Sequence, residues 1–239
     1  MTVHPPGWDT SARKALLPVR REVDGLAMLL HPQDNWTEFK IWRDGAAPEP
    51  VSRARMVALV TGRRALVVDI GANCGTYTLA LAAAAAPGSR VLAFEPNPVM
   101  AARLAANLAL NGLQADLHRV ALGTDEGTAT LALHPENFGQ ATLRTVGETA
   151  GGMTVPVRPL AGFIPPGQFD IFVLKIDVEG YEDRILQPYF KSGVRLPDHI
   201  LIEVEHAAHW VGDLPGDLAA AGYTQVFAGE GNALLQRMI

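Results

Sequence analysis

Three groups of residues in this chain have types and spacings that could do chemistry. The first is a glycine turn, 69-DIGANCG-75, in which Gly71 and Gly75 follow an apolar run and precede an alanine-rich stretch. Glycines just past a buried strand let the backbone approach a ligand. Their G-x-x-x-G spacing lacks the tighter G-x-G-x-x-G pattern that grips the pyrophosphate of a dinucleotide, so a cofactor without phosphates is expected. The second is Glu95, which ends the next apolar run, 90-RVLAFE-95. A carboxylate there can accept hydrogen bonds from both hydroxyls of a ribose. Asp69 could brace the loop amides or meet an ammonium group. The set suits an adenosine with a charged amino-acid tail, S-adenosylmethionine, better than NAD. The competing account is structural: the glycines only make a tight turn, and Glu95 only solvates a strand end.

The third group is acidic and spans 175-KIDVEGYE-182 and 203-EVEH-206. Methyl transfer to an aliphatic hydroxyl needs the acceptor held in line and its proton removed as the new bond forms. Asp177, at the end of a predicted strand, is the first candidate for that alignment or proton removal, and Glu179 the second. Capping of the following helix is their competing role. His206 is the histidine best suited to be a base, because imidazole accepts protons near neutral pH; a structural role accounts for it equally well. Strand alternation puts Glu203 and Glu205 on one face, where with Asp177 they could hold Mg²⁺, although no residue is assigned as a metal ligand. Lys175, inside an apolar run, is expected to pair with Asp177 or another acid. His134, Asn137, Gln140 and Thr142 suit a polyhydroxylated acceptor or are ordinary loop polarity. Trp36 and Trp42, read as lying on an N-terminal strand or turn, are expected to pack that segment on the core rather than cover a pocket. His209 and Trp210 are expected at the surface.

The elements that must position these groups follow from pattern. The run 65-ALVVDI-70 reads as a strand buried on both faces, which implies a parallel sheet. A helix over 76–86 stops at Pro87-Gly88, a strand covers 90–95, a helix covers 98–112, and a third strand covers 116–122. Alternating runs at 127–133 and 153–160, separated by a long loop over 134–152, suggest an antiparallel insertion at 124–168. The parallel pattern returns with a strand at 170–177, a helix at 181–193 and a strand at 199–205. A last helix at 214–223 precedes two short strands, 224–229 and 232–238, joined as a hairpin. Residues 1–62 read as an N-terminal extension that packs on the core, with a short hairpin and a helix over 51–61; residues 63–239 read as the cofactor-binding domain.

Composition narrows the function classes. A chain of 239 residues can bury a substantial core, and one cysteine, Cys74, excludes an intrachain disulfide framework or a zinc site of several cysteines. A net charge of −5 argues against a duplex-binding surface, leaving nucleic acid a minor alternative to a small hydroxylated substrate. No secretory signal or bilayer-length apolar run is visible, so the expectation is a cytoplasmic protein without a membrane partner. Oligomeric state is left open.

Jointly, 69-DIGANCGTYT-78, 93-AFEPNP-98, 107-NLALNG-112, 121-ALG-123 and 175-KIDVEGYE-182 resemble the FkbM family of S-adenosylmethionine-dependent methyltransferases, over roughly residues 65–206. The resemblance implies an α/β fold, Rossmann-like class I, with a doubly wound, mostly parallel seven-stranded sheet ending in an antiparallel hairpin. It implicates Asp69, Gly71, Asn73, Gly75 and Glu95 in cofactor binding, and O-methylation of a sugar, glycoside or other natural product. Cys74 stands where the family often has an apolar residue. An NAD-linked oxidoreductase and a non-catalytic binding domain are the rival readings.

Overall fold

The computed structural model describes residues 10–134, 137–143 and 152–238, and the side chains of residues 10, 11, 133, 134 and 140–142 lie outside the description. Its centre is a seven-stranded sheet. β3 (Ala65–Ile70) pairs in parallel with β4 (Arg90–Phe94) on one side and β10 (Ile171–Ile176) on the other. β5 (Asp116–His118) extends the sheet beyond β4, and β11 (His199–Glu203) extends it beyond β10, both in parallel. The far edge is the hairpin β12 (Tyr223–Gly229) and β13 (Asn232–Arg237), with β13 antiparallel to β11, giving the order β12-β13-β11-β10-β3-β4-β5.

Every residue of β3 is buried, and the two-residue period of a strand divides them between two cores. Leu66, Val68 and Ile70 join the layer containing Ile185 and Leu186 of α6 (Glu182–Phe190) and Leu214 and Leu218 of α7 (Leu214–Ala220). Ala65 and Val67 face the layer containing Met56 and Val60 of α3 (Pro50–Val60) and Leu81 of α4 (Thr76–Ala84). Burial on both faces explains the unbroken apolar run, and each Val, Leu or Ile so buried contributes about 1.5–3 kcal/mol. α5 (Pro98–Leu110), capped by the Asn97 side chain accepting from the Val99 N–H, completes the crossover from β4 to β5.

The N-terminal residues lie against this frame. α1 (Thr10–Lys14) leads to the hairpin of β1 (Val19–Val23) and β2 (Leu26–Leu30), which turns on Asp24-Gly25, both at positive φ. The hairpin is fastened to α5: Asn107 accepts from the Leu29 N–H at 2.8 Å and donates to the Cys74 carbonyl at 3.0 Å. Asn111 accepts from the Ala27 N–H and donates to the Ala27 carbonyl, both at 2.8 Å. Trp36 and Trp42 are on a helix, α2 (Trp36–Asp44), not on the expected strand or turn. The cause is local. Asn35 caps its start by accepting from the Glu38 N–H, and Gly45, at φ 73°, ends it.

Three further boundaries differ from the pattern reading. The strand expected over 116–122 breaks after His118, and β6 (Ala121–Leu122) leaves for a second sheet, so the insertion begins earlier than residue 124. That sheet, ordered β6-β9-β7-β8, includes β7 (Gly127–His134), β9 (Gly152–Arg158) and β8 (Asn137–Thr142), the last inside the stretch read as loop. β11 ends at Glu203 rather than 205, with consequences for its acidic neighbours.

Candidate active site

The carboxyl edge of the parallel strands carries the glycine turn. Gly71 takes φ 75°, and a Cβ there would stand 1.9 Å from the backbone oxygen of Asp177 at the end of β10. Only hydrogen fits between these two strand ends. The N–H groups of Gly71 and Ala72 both donate to the Phe94 carbonyl, at 3.0 and 3.1 Å, tying the turn to β4 as well. Asn73, at φ 52°, donates its N–H to Glu95 Oε2 at 2.8 Å, and the Asn97 N–H donates to Oε1 at 2.9 Å. Each Glu95 oxygen thus keeps a lone pair for a further donor such as a ribose hydroxyl. Burial pushes the Glu95 carboxyl up to about 7, with the Asn97 and Asn73 amides opposing it.

The five residues singled out for the cofactor do not play one role. Gly71, Asn73 and Glu95 line a cavity of about 690 Å³. Asp69 lies fully buried outside that lining, accepting from Thr78 Oγ1 at 2.5 Å with Lys175 Nζ at 3.8 Å. Gly75 is the N-cap of α4 and is likewise outside the lining.

The acidic group gathers beside the glycine turn, at the ends of β10 and β11. Lys175 is 5% exposed; its Nζ donates to the Gly71 carbonyl at 3.0 Å and stands 3.5 Å from Asp177 Oδ2. Burial works to lower its pKa, but Asp177, Asp69 and Glu49 together hold it above the ordinary lysine value. Lys175 is therefore a fixed cation, and the expected pairing with Asp177 is present. Glu179, at φ 60°, faces His206 Nε2 at 3.5 Å, while His206 Nδ1 is 3.4 Å from Glu203 Oε2. The His206 N–H donates to Glu203 Oε1 at 3.1 Å, and burial, then Asp177, raises the Glu203 carboxyl to about 7. Asp177, Glu179 and His206 all line the cavity.

Glu203 and Glu205 do not share a strand face, although both line the cavity with Asp177. β11 stops at Glu203, which is buried, and Glu205 lies exposed beyond it. Among the described residues no group of three or more His, Cys, Asp or Glu could hold a metal ion.

Other residues reach the site that sequence reasoning did not select. Glu49, at φ 56°, lines the cavity and accepts from the Tyr77 hydroxyl at 2.7 Å; burial and Asp177 raise its pKa. Its signal was weak, one acid between two prolines in an irregular stretch. Glu182, buried in the first turn of α6, shapes the 177–180 loop by accepting from the Val178 and Gly180 N–H groups, at 2.9 and 3.2 Å. It also accepts from Trp210 Nε1 at 2.7 Å, so Trp210 is half-buried rather than at the surface, whereas His209 is exposed. Trp36 lines the cavity and Trp42 packs against the hairpin core. Asn137 also lines the cavity, accepting from the Trp36 N–H at 2.9 Å. The side chains of His134, Gln140 and Thr142 lie outside the described residues.

These residues fit S-adenosylmethionine. A cavity of about 690 Å³ is within the ordinary range for small-ligand sites, roughly 300–1,000 Å³. The Gly71–Asn73 turn lines it, and its buried carboxylate is already oriented by two amides.

A family model described as methyltransferase FkbM domain matches residues 69–223. "Methyltransferase 1" of Beauveria bassiana is 28% identical over 178 residues, covering 65% of this chain and 68% of that protein. The AMB antimetabolite synthetase AmbE of Pseudomonas aeruginosa is 29% identical over 196 residues, covering 82% of this chain but 9% of the synthetase. Among solved structures, the 16S rRNA methyltransferase RsmC of T. thermophilus, in complex with AdoMet and guanosine, superposes with a TM-score of 0.50 at 14% identity, over 93% of this chain and 50% of that one. That likeness concerns the fold alone.

Proposed function

The chain belongs to the methyltransferase FkbM family, and from that premise we propose that it moves a methyl group from S-adenosylmethionine to a hydroxyl of a small natural product, with sugars and glycosides the first acceptors to test. The carrying observation is one cavity lined by both candidate sets: Gly71, Asn73 and Glu95, and Asp177, Glu179 and His206. The similarity to AmbE, an antimetabolite synthetase, supports a small-molecule acceptor.

When bound, S-adenosylmethionine supplies a methyl group already activated by a positive sulfur. The chain's own residues do the rest. Glu95, held by the Asn73 and Asn97 amides, takes the ribose hydroxyls, and the Gly71 turn admits the cofactor against backbone. Asp177, fixed by Lys175, accepts the acceptor hydroxyl's hydrogen bond and then its proton as the oxygen–carbon bond forms. Glu179 and His206 receive the proton onward or hold a neighbouring hydroxyl. Trp36 and Asn137 bound the cavity and limit water.

The test is transfer of labelled methyl from S-adenosylmethionine to a panel of sugars, glycosides and hydroxy acids, by wild type and Asp177→Asn. Label on oxygen, abolished in the variant while S-adenosylhomocysteine still binds, supports the assignment. Unchanged turnover in the variant removes Asp177 from the chemistry.

A further inference from the structure

The cavity that serves the proposed reaction is far more acidic than the chain around it. Eight carboxylate side chains line it against two lysines. One of the lysines, Lys175, is already committed to Asp177, to Asp69 and to the Gly71 carbonyl. Asp177 acts on two of the other acids: it raises the pKa of both Glu49 and Glu203, after burial the largest cause in each. Glu203 is 8% exposed and its Oε2 accepts no hydrogen bond, with His206 Nδ1 3.4 Å away. No group among the described residues could bring a metal ion to this wall. The wall is thus short of positive charge, and like charges gathered in a partly dry site favour whatever cation enters.

The donor and the product of a methyl transfer from sulfur differ by one charge. S-adenosylmethionine carries a sulfonium; once the sulfur–carbon bond has broken and the methyl has joined the acceptor, the sulfur is a neutral thioether. Resting on the cofactor reading above, we propose that Glu49, Asp177 and Glu203 make this cavity selective for cofactor charge, holding the sulfonium donor and releasing the thioether product. The three come from separate segments, before α3, after β10 and at the end of β11, so the selectivity requires the N-terminal residues to lie on the core as they do here. The field also explains the use of a strained position: Glu49 adopts a left-handed φ of 56° to present its carboxylate, which Tyr77 then fixes.

The experiment is calorimetric titration of the full chain with three probes: S-adenosylmethionine, S-adenosylhomocysteine, and sinefungin, whose amine replaces the methylsulfonium with an ammonium. Wild type is expected to bind the two cations at least about tenfold more tightly than the thioether. Glu49→Gln and Glu203→Gln remove the charge while keeping the side-chain shape and one acceptor oxygen. Each is expected to weaken both cations about three- to tenfold while leaving S-adenosylhomocysteine within about twofold. Raising salt should weaken only the cations in wild type, a readout independent of any variant's folding. Equal affinity for S-adenosylmethionine and its product, or variants that shift all three probes alike, overturns the proposal. Failure of every probe to bind wild type overturns the cofactor reading and this inference with it.

Discussion

Replacing Gly71 with alanine tests the contact on which the site is built. Two costs add. An L-residue in the left-handed region costs about 1–2 kcal/mol, and Gly71 sits at φ 75°. The new methyl would also stand 1.9 Å from the Asp177 backbone oxygen, and because the obstacle is backbone rather than a flexible side chain, relief means parting β3 from β10. Such overpacking costs about 1–3 kcal/mol more. The total, about 2–5 kcal/mol, corresponds to a fall in Tm of roughly 5–15 °C for a chain of this size. Gly112→Ala is the control: it shares a positive φ of 63° but has nothing within 4 Å, so only the first cost applies and the fall is roughly 2–8 °C. Thermal unfolding of both variants by circular dichroism, with S-adenosylhomocysteine titrated at low temperature, separates the effects. Gly71→Ala should also lose cofactor affinity, since the parted strand ends line the cavity, while Gly112→Ala should retain it. Equal Tm values for the two variants would refute the close-approach argument.

Other expectations follow from buried polar contacts. Arg103 bonds Glu38 at 2.6 Å and Asp34 at 2.9 Å, so Arg103→Met strands a fully buried Glu38 and should cost about 3–5 kcal/mol in chemical denaturation, against no measurable change if the pair is dispensable. Asn107→Ala removes the bond from the Leu29 N–H, one of the side-chain bonds that fasten the N-terminal hairpin to α5, together with the bond to the Cys74 carbonyl. Limited proteolysis should then cut within 15–35 faster than in wild type, and an unchanged rate would count against that tether. Glu203 titrates near 7 folded and near 4.5 unfolded, so the folded state binds its proton more tightly, and the stability this contributes is fully present below about 4.5 and lost as pH rises through about 7. Glu203→Gln should therefore flatten the decline of Tm between pH 5 and 8; parallel curves for variant and wild type would contradict the burial argument.

How much of this was legible in the sequence depended on whether the determining forces were local. Burial on both faces of β3 and β10 leaves an unbroken apolar run, and Gly71 and Asn73 follow directly, so the central sheet and the cofactor turn could be read from letters alone. The 34–45 stretch was legible in principle, since Asn35 and Gly45 bracket α2, but its aromatic residues resembled a strand. Glu203 and Glu205 were misjudged because a strand's period holds only while it is paired, and β11 loses the ladder after Glu203. Glu49 and Tyr77 could not be matched beforehand. They are 28 residues apart, and their hydrogen bond exists only because α3 packs on α4. Asp69, the most prominent carboxylate of the motif, lies outside the cavity lining and holds Thr78 and Lys175, a role that spacing does not distinguish from direct contact.

In the proposed reaction, the glycine turn and Glu95 hold an adenosine cofactor without a pyrophosphate. Calorimetric titration of wild type and Glu95→Ala with S-adenosylhomocysteine, and with NAD⁺ in parallel, tests it most directly. The account predicts saturable one-site binding of S-adenosylhomocysteine to wild type, a loss of about tenfold or more in a folded Glu95→Ala variant, and no saturation by NAD⁺. Saturable NAD⁺ binding with none for S-adenosylhomocysteine would contradict it.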